Sequence, residues 1–217
     1  MKLIDISGFG HSGKTTVTNL FSEVEGTHVH YSNFEFGLLR YPDGLIDLKR
    51  NILENWTPIK SDIQIKRFLK LVRKLNSNYS EYLNPNFYNL SLELINNLVK
   101  YKTHVHWYDD LYNNEYDSKL KLYIKKTFNE LGILSLYRKF KKQTTNKIIV
   151  KKDDVNLVEN NNFNELIKNY LKSILSFEDK IVVTNNAFEP FNPSESINFF
   201  DDSYSIIVDR DPRDIYL

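Results

Sequence analysis

Eight consecutive residues, Gly8-Phe9-Gly10-His11-Ser12-Gly13-Lys14-Thr15, match the pattern G-x-x-x-x-G-K-[ST] at every fixed position. The chain has only 7 glycines, and three of them fall inside this loop, so a glycine-rich background does not explain the match. The run Lys2-Leu3-Ile4-Asp5-Ile6-Ser7 before it reads as a short buried strand, and Val17, Leu20, Phe21 and Val24 after it recur at helical spacing. In that setting the spacing has a physical reason. Glycines let the backbone turn with its N–H groups inward, forming an anion-binding nest. The helix N-terminus adds partial positive charge, and Lys14 reaches the terminal phosphates. Thr15 is placed to hold Mg²⁺ if the ligand is a nucleoside triphosphate. The candidate cofactor-binding residues here are Gly8, Gly10, His11, Ser12, Gly13, Lys14, Thr15 and Thr16.

Gly26 is expected to end the first helix, and Thr27 to Tyr31 reads as a second strand. From about Asp43 to Phe177 the pattern is mostly helical. Ile65, Phe68, Leu69, Val72 and Leu75 make one stripe, Leu90, Leu94, Ile95 and Leu98 a second, and Leu120, Tyr123, Ile124, Phe128 and Leu131 a third. The cleanest stripe joins Phe163, Leu166, Ile167, Tyr170, Leu171, Ile174 and Leu175. Lys147 to Lys151 fits a strand or a loop edge, and Asn160-Asn161-Asn162 a turn. Lys180 to Thr184 and Tyr204 to Asp209 read as buried strands. Between them Asn192-Pro193-Ser194 starts a short helix with Ser194 as cap. The expected fold is α/β: a P-loop-type, mainly parallel sheet flanked by helices. Residues 1–217 form a single domain, with 43–177 as a large helical insertion in the middle. Arg210-Asp211-Pro212-Arg213-Asp214 leads into a helix that has barely begun at Leu217, so the reading expects a C-terminally truncated domain.

The last strand delivers Arg210 and Arg213 to its carboxyl end, where open α/β sheets bind their ligands. Guanidinium groups grip phosphate or sulfate with a two-pronged fork. The other reading is a solvated turn with Asp211 as N-cap and Pro212 at N1. Val208-Asp209-Arg210-Asp211-Pro212-Arg213-Asp214-Ile215 resembles the strand-end phrase "V-R-D-P-R-D-V" of the sulfotransferase family. That resemblance implies transfer of a sulfuryl group from 3′-phosphoadenylyl sulfate (PAPS), with Arg210 as the 3′-phosphate ligand. Lys180 to Pro190 stands where the family has its preceding strand, often "V-T-K-x-H-x-P". Two departures are plain. The family loop reads "P-K-S-G-T-T", whereas here His11 takes the lysine's place and Lys14 follows the glycine. Thr184 to Pro190 also lacks the histidine many members use, which leaves Glu189 as the candidate base. The resemblance covers both ends of the chain, about a quarter of it, and none of the middle.

The competing class is a kinase using ATP with Mg²⁺, in which Lys14 and Thr15 hold the nucleotide and Asp209 serves as the acidic metal partner. A third is a non-catalytic nucleotide-binding switch. All three take a nucleotide, and the two enzymes add a small-molecule or carbohydrate acceptor. With 29 basic and 28 acidic residues, the net charge of +1 gives no global field for nucleic acid or acidic membrane. No cysteine is present, which excludes disulfides, thiolate metal sites and thiol nucleophiles. No apolar stretch suits a membrane span and no signal peptide is visible, so the expected address is cytoplasmic. His28/His30 and His104/His106 form two H-x-H pairs, better read as ordinary histidines than as metal ligands, so no metal site is expected. Asp109-Asp110 reads as a solvated loop before a general base. Glu35 and Arg40 lie just after the second strand, near the expected acceptor side. The basic helix faces (Lys66, Lys70, Arg73, Lys74; Lys119, Lys121, Lys125, Lys126) suit solvent or an acidic glycan, and most aromatics should be core.

Overall fold

The computed structural model describes residues 2–30, 33–105, 153–158, 162–175 and 180–211. The third helical stripe, Lys147 to Lys151, and His106, Asp109, Asp110 and Arg213 lie outside the described residues. Those described fall into two compact units, one built from Met1–Tyr101 and Asn156–Leu217 and the other from Lys102–Val155.

The larger unit holds a four-stranded sheet in the order β2-β5-β1-β6, every neighbouring pair parallel. Its strands are β1 (Lys2–Gly8), β2 (Thr27–Val29), β5 (Ile181–Asn185) and β6 (Asp202–Val208). β1 and β5 are central and therefore buried on both faces, which is why they read as short apolar runs without alternation. α1 (Lys14–Ser22) packs against β1, β2 and β5. Beyond β2, α2 (Leu45–Lys49) runs into a π-helical turn, Arg50–Glu54. α3 (Pro58–Tyr82) begins where sequence rules place a start: the Thr57 hydroxyl accepts from the Lys60 N–H at 3.1 Å, and Pro58 opens the first turn. α4 (Phe87–Leu98) packs between α3 and α5 (Phe163–Leu175), with the Ser91 and Tyr170 hydroxyls 2.7 Å apart in that contact. The three helical stripes that fall on described residues supply the core: Ile65, Phe68 and Val72, then Leu94, Ile95 and Leu98, then Phe163, Ile167, Leu171 and Ile174.

Between α4 and α5, β3 (Val99–Val105) pairs with β4 (Asp153–Val158) in a two-stranded sheet. The pattern did not announce β3, because Val99 continues the apolar stripe of α4 without a break.

Three local expectations need correction. β6 is not a buried strand. It lies at the end of the sheet order, with Tyr204, Ile206 and Ile207 all exposed, so its apolar run overstated its burial. Ser194 does not cap α6 (Ser194–Ile197): its hydroxyl donates to Asn192 Oδ1, and Pro193 precedes the first turn. The buried residue of α1 is Thr18, whose hydroxyl is satisfied by the Lys14 carbonyl at 2.9 Å, whereas Leu20 and Val24 face solvent. No helix among the described residues is long and apolar enough to cross a membrane.

Candidate functional site

The glycine-lysine loop leaves the carboxyl end of β1 and enters α1, as its sequence context requires. Gly8 still pairs with Val208 of β6, and a side chain there would place a Cβ 2.5 Å from the Val208 carbonyl oxygen and 2.7 Å from Ser12 Oγ. Two loop residues are left-handed, His11 at φ 63° and Gly13 at φ 89°. Gly13 stands at the cap position of α1 with no side-chain cap, and the first turn carries no acidic residue. The helix's partial positive charge therefore meets no anion from α1 itself. Thr15 and Thr16 occupy that first turn, and Thr16 N–H donates to the Gly13 carbonyl at 3.0 Å. Gly10 and His11 are exposed. Ser12 is buried, and among the described residues its hydroxyl has no hydrogen-bond partner.

Lys14 does not extend freely into solvent. Its Nζ lies 3.0 Å from Glu35 Oε1, and Arg40 Nη2 reaches Glu35 Oε2 at 3.2 Å. Glu35 comes to this place because its backbone bridges Asn185 in parallel fashion and the Phe36 N–H donates to the Asn185 carbonyl at 2.9 Å. Asn186 completes the group. Its Nδ2 donates to Glu35 Oε1 at 2.9 Å, its Oδ1 accepts the Gly8 N–H at 3.1 Å, and its carbonyl accepts Arg40 Nε at 2.8 Å. It adopts φ 54°, a conformation asparagine tolerates better than most residues. Burial opposes the charge on Glu35, but hydrogen bonds from Lys14 and Asn186 and the charges of Lys14 and Arg40 outweigh it. Its carboxyl is held below the ordinary glutamate value.

Beneath this group lies Asp5, fully buried in the middle of β1. Its Oδ1 accepts from Thr184 Oγ1 at 2.9 Å and the Ala187 N–H at 2.8 Å, and its Oδ2 accepts from the Phe188 N–H at 3.0 Å. The Ser7 hydroxyl contacts Asp5 Oδ2 and also the Phe188 carbonyl at 2.9 Å, yet has one proton to give. Burial raises the Asp5 pKa against the pull of these donors. Asp5 thus ties β1 to the turn after β5 from which Asn186 projects.

Because Val208 pairs with Gly8, the chain leaves β6 beside the start of the loop, and Arg210 emerges there exposed. Its own N–H donates to Asp209 Oδ1 at 2.8 Å, so the adjacent backbone engages the Asp209 carboxylate. Glu189 lies half-buried in the segment after β5. Two residues on, Phe191 meets the loop's Phe9 at 4.9 Å between ring centroids, and both rings are exposed. The His28 and His30 rings meet edge to face at 4.7 Å. Burial and the neighbouring His28 push the His30 pKa down to about 4. Among the described residues no cluster of three His, Cys, Asp or Glu forms a metal site.

Sequence reasoning thus placed the loop, and it flagged Glu35 and Arg40 without connecting them to Lys14. Asn186 and Asp5 escaped it. The available signals were a carboxylate inside an apolar strand, and an Asn-Asn pair closing a buried strand at the ligand-bearing end of a sheet. No protein-family model, curated protein or solved structure matches the chain.

Proposed function

We propose that this chain is a group transferase that binds the phosphates of a nucleotide donor on the loop Gly8–Thr15 of a P-loop-type sheet. The observation that carries the reading is the loop's setting. It has two left-handed residues, an uncapped helix start and a lysine held at the loop, all at the carboxyl end of a central parallel strand. Sulfuryl transfer from PAPS to a hydroxyl of a small molecule or carbohydrate is the favoured reaction. Its support is the register of β6, which brings Arg210 out beside the loop, where a guanidinium suits the donor's second phosphate.

In this reaction the acceptor oxygen bonds to sulfur as the bond from sulfur to the phosphate oxygen breaks. The electron pair leaves on that phosphate, where loop N–H groups and Lys14 offset its charge. The acceptor proton goes to a carboxylate. Glu35, held anionic by two cations, is a weak base. We assign the role to Glu189, on the segment whose Phe191 packs against the loop's Phe9.

One observation favours a kinase as the second reading: Thr15 directly follows Lys14 in the first turn of α1, the arrangement that serves ATP with Mg²⁺. A thermal-shift comparison separates the two, since ligand that binds only the folded state raises Tm. A Mg²⁺-independent rise with 3′-phosphoadenosine 5′-phosphate, lost in Lys14→Ala, is the expected result. A rise only with ATP or GTP plus Mg²⁺ would replace sulfuryl transfer with phosphoryl transfer. No rise with any of them would remove the nucleotide site.

A further inference from the structure

We infer that Glu35 is a resident anion of the phosphate site, a specificity-determining residue whose carboxylate an incoming ligand must displace from Lys14. The inference rests on the phosphate-binding reading above and adds how that site chooses what enters it.

Lys14 Nζ is 3.0 Å from Glu35 Oε1, so the cation the loop offers to a ligand's terminal oxygens already has a partner. A phosphate or sulfuryl oxygen cannot take the same place without close like-charge repulsion. This is not a loose surface pair. Glu35 is fixed by donors from three separate parts of the chain: Lys14 on α1, Arg40 beyond β2 and Asn186 beyond β5. Its backbone is bridged to Asn185 as well. Asn186 carries the constraint to the loop itself, because the same amide accepts the Gly8 N–H. Carboxylate and loop are therefore held in one frame.

The arrangement also permits release. When Lys14 turns to a ligand, Glu35 keeps Arg40 on Oε2 and Asn186 on Oε1, so it is not left as an unpaired charge. The loop also keeps a donor in hand, since the buried Ser12 hydroxyl has no partner among the described residues. A simple monovalent anion that gains only Lys14 gains little over the carboxylate already there. An anion that spans the loop and meets backbone N–H groups, Ser12 and Lys14 together outcompetes it. Glu35 thus biases the site toward polyanionic ligands, a pyrophosphate or phosphosulfate rather than a lone small ion.

The test is calorimetric titration of wild type, Glu35→Gln and Glu23→Gln with inorganic pyrophosphate at fixed pH and salt. Glutamine keeps the size of Glu35 and an oxygen for Asn186, so the fold is retained, which circular dichroism checks. Glu23→Gln removes the same charge just beyond the last turn of α1, away from the loop. We expect Glu35→Gln to tighten Kd roughly tenfold, equivalent to about 1.4 kcal/mol, and Glu23→Gln to stay within about twofold of wild type. An unchanged or weakened Kd in Glu35→Gln overturns the inference while leaving the phosphate site standing. An equal gain in Glu23→Gln overturns it too, by showing a general effect of charge. If neither wild type nor Glu35→Gln binds pyrophosphate, the phosphate site and the inference fall together.

Discussion

Replacing Asp5 by asparagine exchanges one carboxyl oxygen for an amide nitrogen and changes almost no volume, so it isolates what the carboxyl does beneath the loop. In the native structure Oδ1 receives Thr184 Oγ1 and the Ala187 N–H, and Oδ2 receives the Phe188 N–H beside the Ser7 hydroxyl. An asparagine can keep its oxygen on the Thr184 and Ala187 side, and its amide can donate to Ser7. The Phe188 N–H then points at another donor in a fully buried place. Flipping the amide moves the same conflict to Ala187. One stranded backbone N–H costs about 1–3 kcal/mol, and the full burial of Asp5 favours the upper half of that range. Asp5→Leu strands both backbone donors and should cost roughly twice as much. Urea unfolding followed by far-UV circular dichroism at pH 7 reads both differences. The pH dependence supplies a sign check. The folded-state pKa of Asp5 is raised, so its contribution to stability is fully present below the unfolded value of about 3.8 and is lost as pH rises through the folded value. The gap between wild type and Asp5→Asn should therefore widen on acidification. An Asp5→Asn variant as stable as wild type, or a gap that narrows toward pH 4, would refute this account.

Gly8→Ala should destabilise by about 1–3 kcal/mol, because the new Cβ falls 2.5 Å from a backbone oxygen of the paired strand. Gly10→Ala, with nothing within 4 Å of its Cβ, should be nearly silent in the same urea unfolding. His30 has a depressed folded-state pKa of about 4 against an ordinary 6.5, so its contribution is present above about pH 6.5 and is lost as pH falls toward 4. The full difference approaches about 3 kcal/mol. The urea midpoint should fall more steeply between pH 7.5 and 5 in wild type than in His30→Gln, and parallel curves would count against it.

How much of this was legible in the sequence depends on how far apart the cooperating residues lie. β1, the loop and α1 are contiguous, and a strand followed by G-x-x-x-x-G-K-[ST] announces them. α3, α4 and α5 were visible because their stripes recur at helical spacing over many turns. β6 was found but mistaken for a buried strand, since Tyr204-Ser205-Ile206-Ile207-Val208 looks the same at a sheet edge as in its centre. The face of α1 was misjudged because Thr18 counts as polar in any pattern, yet a hydroxyl bonded to its own helix backbone buries without loss. The ties from Asp5 to Phe188 and from Gly8 to Asn186 span most of the chain. They depend on β5 lying beside β1, and no local pattern shows which strands become neighbours.

That strand order has a consequence for how the molecule comes into being. β2 follows β1 in the chain but does not touch it, because β5 lies between them. While the chain is being synthesised, the first strands and the loop are made early, yet the seat between them stays empty until Ile181–Asn185 has appeared. Lys14 and Glu35 are then drawn together across a strand made roughly 150 residues later. The motif nearest the N-terminus is thus among the last parts of the protein to reach its native surroundings.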